Sequence, residues 1–213
     1  MSTPGEPLTF PSGDLTLEGL LHRPAATPHP AVVVCHPHPL FGGDMYNSVV
    51  AAVCQALVNT GIAALRFNFR GVGRSLGRFA EGVGERADAV AALAYLRELQ
   101  GVESARVGIV GYSFGAAVAL AAADDQVAAL AAISPPPFGH VTLAPTIHCP
   151  AFLITGDRDD VAPPASVAAL SKTLGPRCQV EVVPGADHFW WGYDEKLAGA
   201  VAGFLRDSLL AGP

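Results

Sequence analysis

The chain has 213 residues, half of them hydrophobic and only 15% charged, with 23 glycines and a formal net charge of -6. That length suits one sizeable core and is short for two, so a single domain over residues 1–213 is expected. The mild negative charge is spread rather than blocked and there is no basic stripe, which speaks against nucleic acid or an anionic membrane as partner.

The opening stretch MSTPGEPLTFPSGD has neither the charged start nor the apolar core of a secretory leader, and nowhere do about 18 uninterrupted apolar residues occur, so a cytoplasmic protein without a membrane span is expected. Residues 8–24 alternate apolar and polar around Ser12-Gly13-Asp14, the pattern of a β-hairpin. AVVVCH at 31–36 reads as a buried strand. From Asn47, the spacing of Val49, Val50, Val53, Cys54, Leu57 and Val58 predicts a helix closed by Gly61 in a left-handed C-cap. The strand IAALRFNF and the glycine-rich loop 70–77 follow. A helix is predicted over 83–99, with Val90, Leu93, Ala94 and Leu96 on its apolar side. Strand, turn and helix are expected at 105–123, then strands in VAALAAI and PAFLIT, a helix in SVAALSKTL, a last strand in CQVEVV and a closing helix from Tyr193 to Leu210. Alternating strands and helices imply an α/β fold with a mostly parallel sheet covered on both faces. Cys35, Cys54, Cys149 and Cys178 are widely spaced in apolar surroundings and read as small buried hydrophobes rather than disulfides or zinc ligands.

Ligands of such sheets bind beyond the carboxyl ends of the strands, and the polar residues gather in those loops. Residues 111–115 read Gly-Tyr-Ser-Phe-Gly between an apolar strand and an alanine-rich helix, the setting a nucleophile elbow requires. Ser113 then needs an imidazole to take its proton and a carboxylate to orient that imidazole. In the chain order serine, acid, histidine, the acid is Asp157, Asp159 or Asp160, and His188 is the one histidine that follows all three. His22, His29, His140 and His148 read as solvated surface residues. His36 and His38 form a His-x-His pair, but Pro37 and Pro39 kink the backbone and no third ligand is evident, so no metal is expected. The oxyanion of a tetrahedral intermediate needs backbone donors. One is the N–H of Phe114; the other comes from the loop after 31–36, where the prolines leave His38 and Leu40.

HPHPLFGGDMYN at 36–47, RFNFRGVGRS at 66–75, GYSFG at 111–115, GDRDD at 156–160 and GADHFWWG at 185–192 together resemble the α/β-hydrolase superfamily, and more narrowly the small, lidless bacterial hydrolases related to dienelactone hydrolase. The resemblance implies an α/β-hydrolase fold without a cap domain, with Ser113, Asp159 and His188 as catalytic residues and Asp157 as second choice for the acid. Matching the Phe-Gly at 41–42 to that family favours Leu40 over His38 as oxyanion donor. Dienelactone hydrolases carry cysteine where this chain has Ser113, which argues against that particular substrate.

Phe41, Phe114, Tyr112, Phe138, Phe189, Trp190 and Trp191 are candidates to line an acyl pocket, with Phe41, Tyr112 and Trp190 favoured for substrate binding. Arg70 and Arg74 read as structural. Only about fifteen residues, 135–149, stand where relatives insert a cap, too few for one. An open site favours ester or thioester hydrolysis over chemistry that demands strict exclusion of water. The expectation is therefore a serine carboxylesterase or thioesterase with a small acyl substrate and no cofactor; the apolar composition favours a homo-oligomer. A dienelactone-hydrolase-like or peptidase activity, or a non-catalytic binding module on this fold, are the rivals.

Overall fold

The computed structural model describes residues 5–137 and 147–210. Phe138, His140 and most of the segment 135–149 lie outside them. Two strands of alternating burial open the chain, β1 (Glu6–Ser12) and β2 (Leu15–His22), paired antiparallel around Gly13. Then come β3 (His29–Cys35), α1 (Ser48–Asn59), β4 (Ala63–Phe67), α2 (Val83–Glu98), β5 (Val102–Tyr112), α3 (Phe114–Ala122), β6 (Leu130–Ile133), β7 (Ala151–Gly156), α4 (Pro164–Leu174), β8 (Cys178–Val183) and α5 (Asp194–Leu210). One sheet runs β1-β2-β4-β3-β5-β6-β7-β8; β2 pairs antiparallel with β4, and every pair from β4 to β8 is parallel.

The predicted elements recur within a few residues of their expected ends. Asn47 caps α1, its side chain accepting the N–H groups of Val49 and Val50, and Gly61 takes a positive φ just past the helix end. β3 is buried along its whole length, as a central parallel strand must be. Its Val33 and Cys35 join the core under α2, α3 and α4, whereas Val32 and Val34 join the core under α1 and α5. On α2 the buried face is Ala89, Ala92, Leu93 and Leu96; the expected Val90 and Ala94 are exposed, because they fall off the i, i+3, i+4, i+7 stripe that those four form. His22 and His29, expected at the surface, are buried at strand ends. Cys35, Cys54 and Cys149 are buried free thiols, and Cys178 is half-buried.

β3 and β5 are neighbours, yet the chain leaves them toward opposite faces, β3 into α1 and β5 into α3. Two adjacent strands that diverge in this way open a crevice at their carboxyl ends. Residues 36–43 and Ser113 flank it.

Candidate active site

The turn after β5 is forced by close approach. A side chain at Gly111 would overlap the backbone of Gly115 and Ala116, and one at Gly115 would overlap the carbonyls of Cys35 and His36. Between them Ser113 is held at φ 54°, ψ -120°, a conformation that costs a non-glycine residue about 1–3 kcal/mol. Its N–H donates to the Ile133 carbonyl at 2.9 Å, and its own carbonyl accepts from Ala116 at 2.9 Å at the start of α3. All nine residues of α3 are buried, so the turn is backed by core.

Three side chains from three strand-end loops meet here. Ser113 Oγ lies 2.9 Å from His188 Nε2, and His188 Nδ1 lies 3.0 Å from each carboxylate oxygen of Asp159. An ionised carboxylate only accepts, so the His188 proton sits on Nδ1 and leaves Nε2 free to accept from the serine hydroxyl. Burial drives the Asp159 pKa up, but hydrogen bonds from His188, the Ala162 N–H and Ser134, with the nearby His188 charge, outweigh it and hold the carboxyl below its usual range. Asp159 Oδ1 also accepts the Val161 N–H at 2.9 Å. Asp157, the second choice for the acid, instead ties down Gly185 N–H at 2.7 Å, and Asp160 is exposed.

The loop after β3 is organised by its two imidazoles. His36 is wholly buried; its Nδ1–H donates to the Pro37 carbonyl at 2.7 Å and its Nε2 accepts the Phe69 N–H at 3.1 Å. Burial pushes its pKa down to about 4, so it is neutral and spends both ring nitrogens on the backbone. His38 Nδ1 accepts the Leu40 N–H at 3.2 Å and caps a short 3-10 helix, Pro39–Phe41. The His38 carbonyl takes the N–H groups of Phe41 and Gly43. Leu40, favoured as a donor by the family likeness, therefore has its N–H engaged, and its side chain does not line the cavity at Ser113. Two backbone N–H groups near Ser113, those of His38 and Phe114, have no partner among the described residues.

A cavity of about 790 Å³ opens on Ser113 and His188. Phe41 and Tyr112 line it, together with Phe79, Phe114, Val161 and Phe189. Trp190 does not. It is wholly buried, and its indole N–H donates to Ser134 Oγ at 3.0 Å, so it anchors the His188 loop from behind. Tyr112 has a second task, since its hydroxyl donates to the His188 carbonyl at 2.7 Å. Arg70 is structural, gripping buried Asp88 through Nε at 3.0 Å and Nη2 at 2.7 Å. Sequence reasoning passed over Ser134, Phe79 and the anchoring role of His36. Only His36 carried a signal, its place at the end of an apolar strand.

Among the described residues no group of three or more metal-ligating side chains is placed to hold an ion, and no helix is long and apolar enough to cross a membrane.

A strained serine turning from a parallel strand into a buried helix, with a histidine and an acid reaching it from two later strand ends, defines an α/β hydrolase. The match extends to a particular group: residues 17–201 fit the dienelactone hydrolase family, and the chain belongs to it. It is 35% identical over 201 residues to the uncharacterized protein RP471 of Rickettsia prowazekii, covering 89% of this chain and 84% of that one. Among solved structures, a putative α/β hydrolase of Agrobacterium tumefaciens is similar at 32% identity and TM-score 0.84, over 99% of this chain and 100% of that one. A lidless α/β serine hydrolase of Xanthomonas campestris is similar at 32% identity and TM-score 0.83, over 100% of this chain and 99% of that one. Fold and family make this chain a hydrolase.

Proposed function

We propose that the protein is a serine hydrolase of carboxylic esters or thioesters, working through an acyl-enzyme on Ser113, His188 and Asp159. The observation that carries this reading is the continuous chain of contacts from Ser113 Oγ through His188 to Asp159, opening on a mostly apolar cavity. Ser113 Oγ attacks the acyl carbon while its proton passes to His188 Nε2, and Asp159 stabilises the imidazolium that forms. The carbonyl π pair moves onto oxygen, where the N–H groups of Phe114 and His38 receive it. His38 replaces Leu40 as second donor in this reading because its N–H is the unspent one. Collapse of the intermediate expels the alcohol or thiol, which takes the proton from His188. Water, deprotonated by the same nitrogen, then attacks the acyl-serine; collapse releases the acid and returns the proton to Ser113.

Labelling with a fluorophosphonate, run with a chain-length series of p-nitrophenyl and acyl-thioester substrates on wild type and Ser113→Ala, tests the proposal. Labelling and turnover that both depend on Ser113 are expected. Turnover that survives Ser113→Ala, or a wild type inert to the probe, overturns it.

A further inference from the structure

Among the described residues, four that are not glycine have positive φ: Ser113, Ser134, Trp190 and Glu81. The first is the proposed nucleophile and the next two brace the His188 loop. Such strained positions persist where the surroundings over-determine them, and they cluster at functional sites. Glu81 is the fourth, at φ 53°, and it lines the same cavity as Ser113. Its placement is built. The carboxylate of Glu85, wholly buried, accepts the N–H groups of both Ala80 and Gly82 at 2.8 Å, strapping the backbone on either side of Glu81. Glu81 is exposed, its carboxylate makes no hydrogen bond or ion pair among the described residues, and it is the one carboxylate in a mostly apolar and aromatic lining whose other ionisable groups are the imidazoles of His38 and His188 and the phenol of Tyr112.

Part of the wall of the same cavity is aromatic. The His38 ring stands 4.9 Å from Phe41, 5.0 Å from Phe79 and 4.8 Å from Phe114, with Phe79 and Phe114 5.7 Å apart. Burial holds the His38 pKa below its ordinary value, so at neutral pH this wall presents no cation. Two arginines, Arg70 and Arg78, line an adjoining cavity that shares Phe79 with this one, and Arg70 is already bound to Asp88. A carboxylate and phenyl rings lining one cavity attract a cation in two ways, by charge and by the ring quadrupoles, and the carboxylate repels an anion.

We propose that the cavity takes esters bearing a cationic alkylammonium group, with Glu81 the residue that selects for that charge and against carboxylate-bearing substrates. This rests on the serine hydrolase reading, whose failure is separately visible. Three p-nitrophenyl esters of matched shape carry the test on the acyl side: 4-(trimethylammonio)butanoate, its neutral isostere 5,5-dimethylhexanoate and the glutarate monoester. Butanoates of choline, 3,3-dimethylbutanol and 3-hydroxypropanoate carry it on the alcohol side. In one of the two sets the wild type is expected to favour cation over anion in kcat/KM by about tenfold, the neutral ester lying between. Glu81→Gln removes that ratio, Glu81→Lys inverts it, and raised salt weakens it in the wild type. Equal ratios in wild type and both variants, in both sets, overturn the proposal. If no ester is turned over, the hydrolytic reading fails instead. Calorimetric titration of Ser113→Ala, with and without Glu81→Gln, using benzyltrimethylammonium and 3-phenylpropanoate then decides the charge preference without turnover: Glu81-dependent binding of the ammonium upholds it, and its absence refutes it.

Discussion

The two loops that flank the crevice are held in place by different physics. The elbow at 111–115 stands on sterics: two glycines packed against backbone and a buried helix behind them leave Ser113 one place to go. The loop at 36–43 stands on hydrogen bonds from side chains, with His36 tied to Pro37 and Phe69 and His38 tied to Leu40. A sterically held turn is indifferent to pH. One held by imidazoles is not, and it can be loosened without disturbing the core.

Substitutions ordered by effect sharpen this contrast. Ser113→Ala removes the proposed nucleophile while relieving no packing constraint, so kcat is expected to fall by about 10⁶ with an unchanged melting curve. His38→Pro deletes a backbone N–H at a residue whose φ of -58° already suits proline. Against His38→Ala, which keeps the N–H, it lowers kcat by about 10²–10³ if His38 is the second oxyanion donor, and leaves it equal if the donor lies elsewhere. Gly115→Ala drives a methyl group into the Cys35 and His36 carbonyls and destabilises the fold by about 3 kcal/mol, read as a lower midpoint in denaturant. A wild-type midpoint in that variant would show that the elbow is not sterically pinned.

The remaining prediction is the pH dependence of the imidazole-held loop, which at any one pH between about 4 and 6.5 is a fraction of its full span. In the folded chain the His36 pKa is pushed from its ordinary 6.5 down to about 4. Between those values the unfolded chain binds a proton that the folded chain does not. The contribution is therefore fully present above pH 6.5 and lost as pH falls toward 4, by about 1.4 kcal/mol per unit. His38, shifted in the same direction, adds to the slope. His36→Asn is expected to lower stability at neutral pH and to flatten the slope between pH 6.5 and 4; an unchanged slope in a pH series of melts would remove His36 from the account.

The same contrast explains what could be read from the chain alone. Gly111 and Gly115 are bound to local spacing, so the elbow and its flanking strand and helix were legible, as were the loops bearing Asp159 and His188. The loop at 36–43 was not. Two prolines and two histidines there read equally as a kinked surface turn, and the choice between His38 and Leu40 depended on which N–H the His38 side chain consumes, a fact of three-dimensional hydrogen bonding. Trp190 was misjudged for a related reason: an aromatic beside a catalytic-type histidine suits a pocket wall, but its indole N–H found Ser134 from the far side of the chain. Glu81 carried no signal at all, because its setting depends on Glu85 strapping the turn beneath it.

The bond from Tyr112 to the His188 carbonyl joins the residue before Ser113 to the histidine whose ring meets the Ser113 hydroxyl. Ser113 and His188 are thereby tied by a strut independent of the outer loop surface. Phe189 and Trp191, both exposed on that surface, are consequently free to vary. Of the two only Phe189 lines the cavity, so a library at that position would vary the cavity wall while the spacing of Ser113 and His188 stays put.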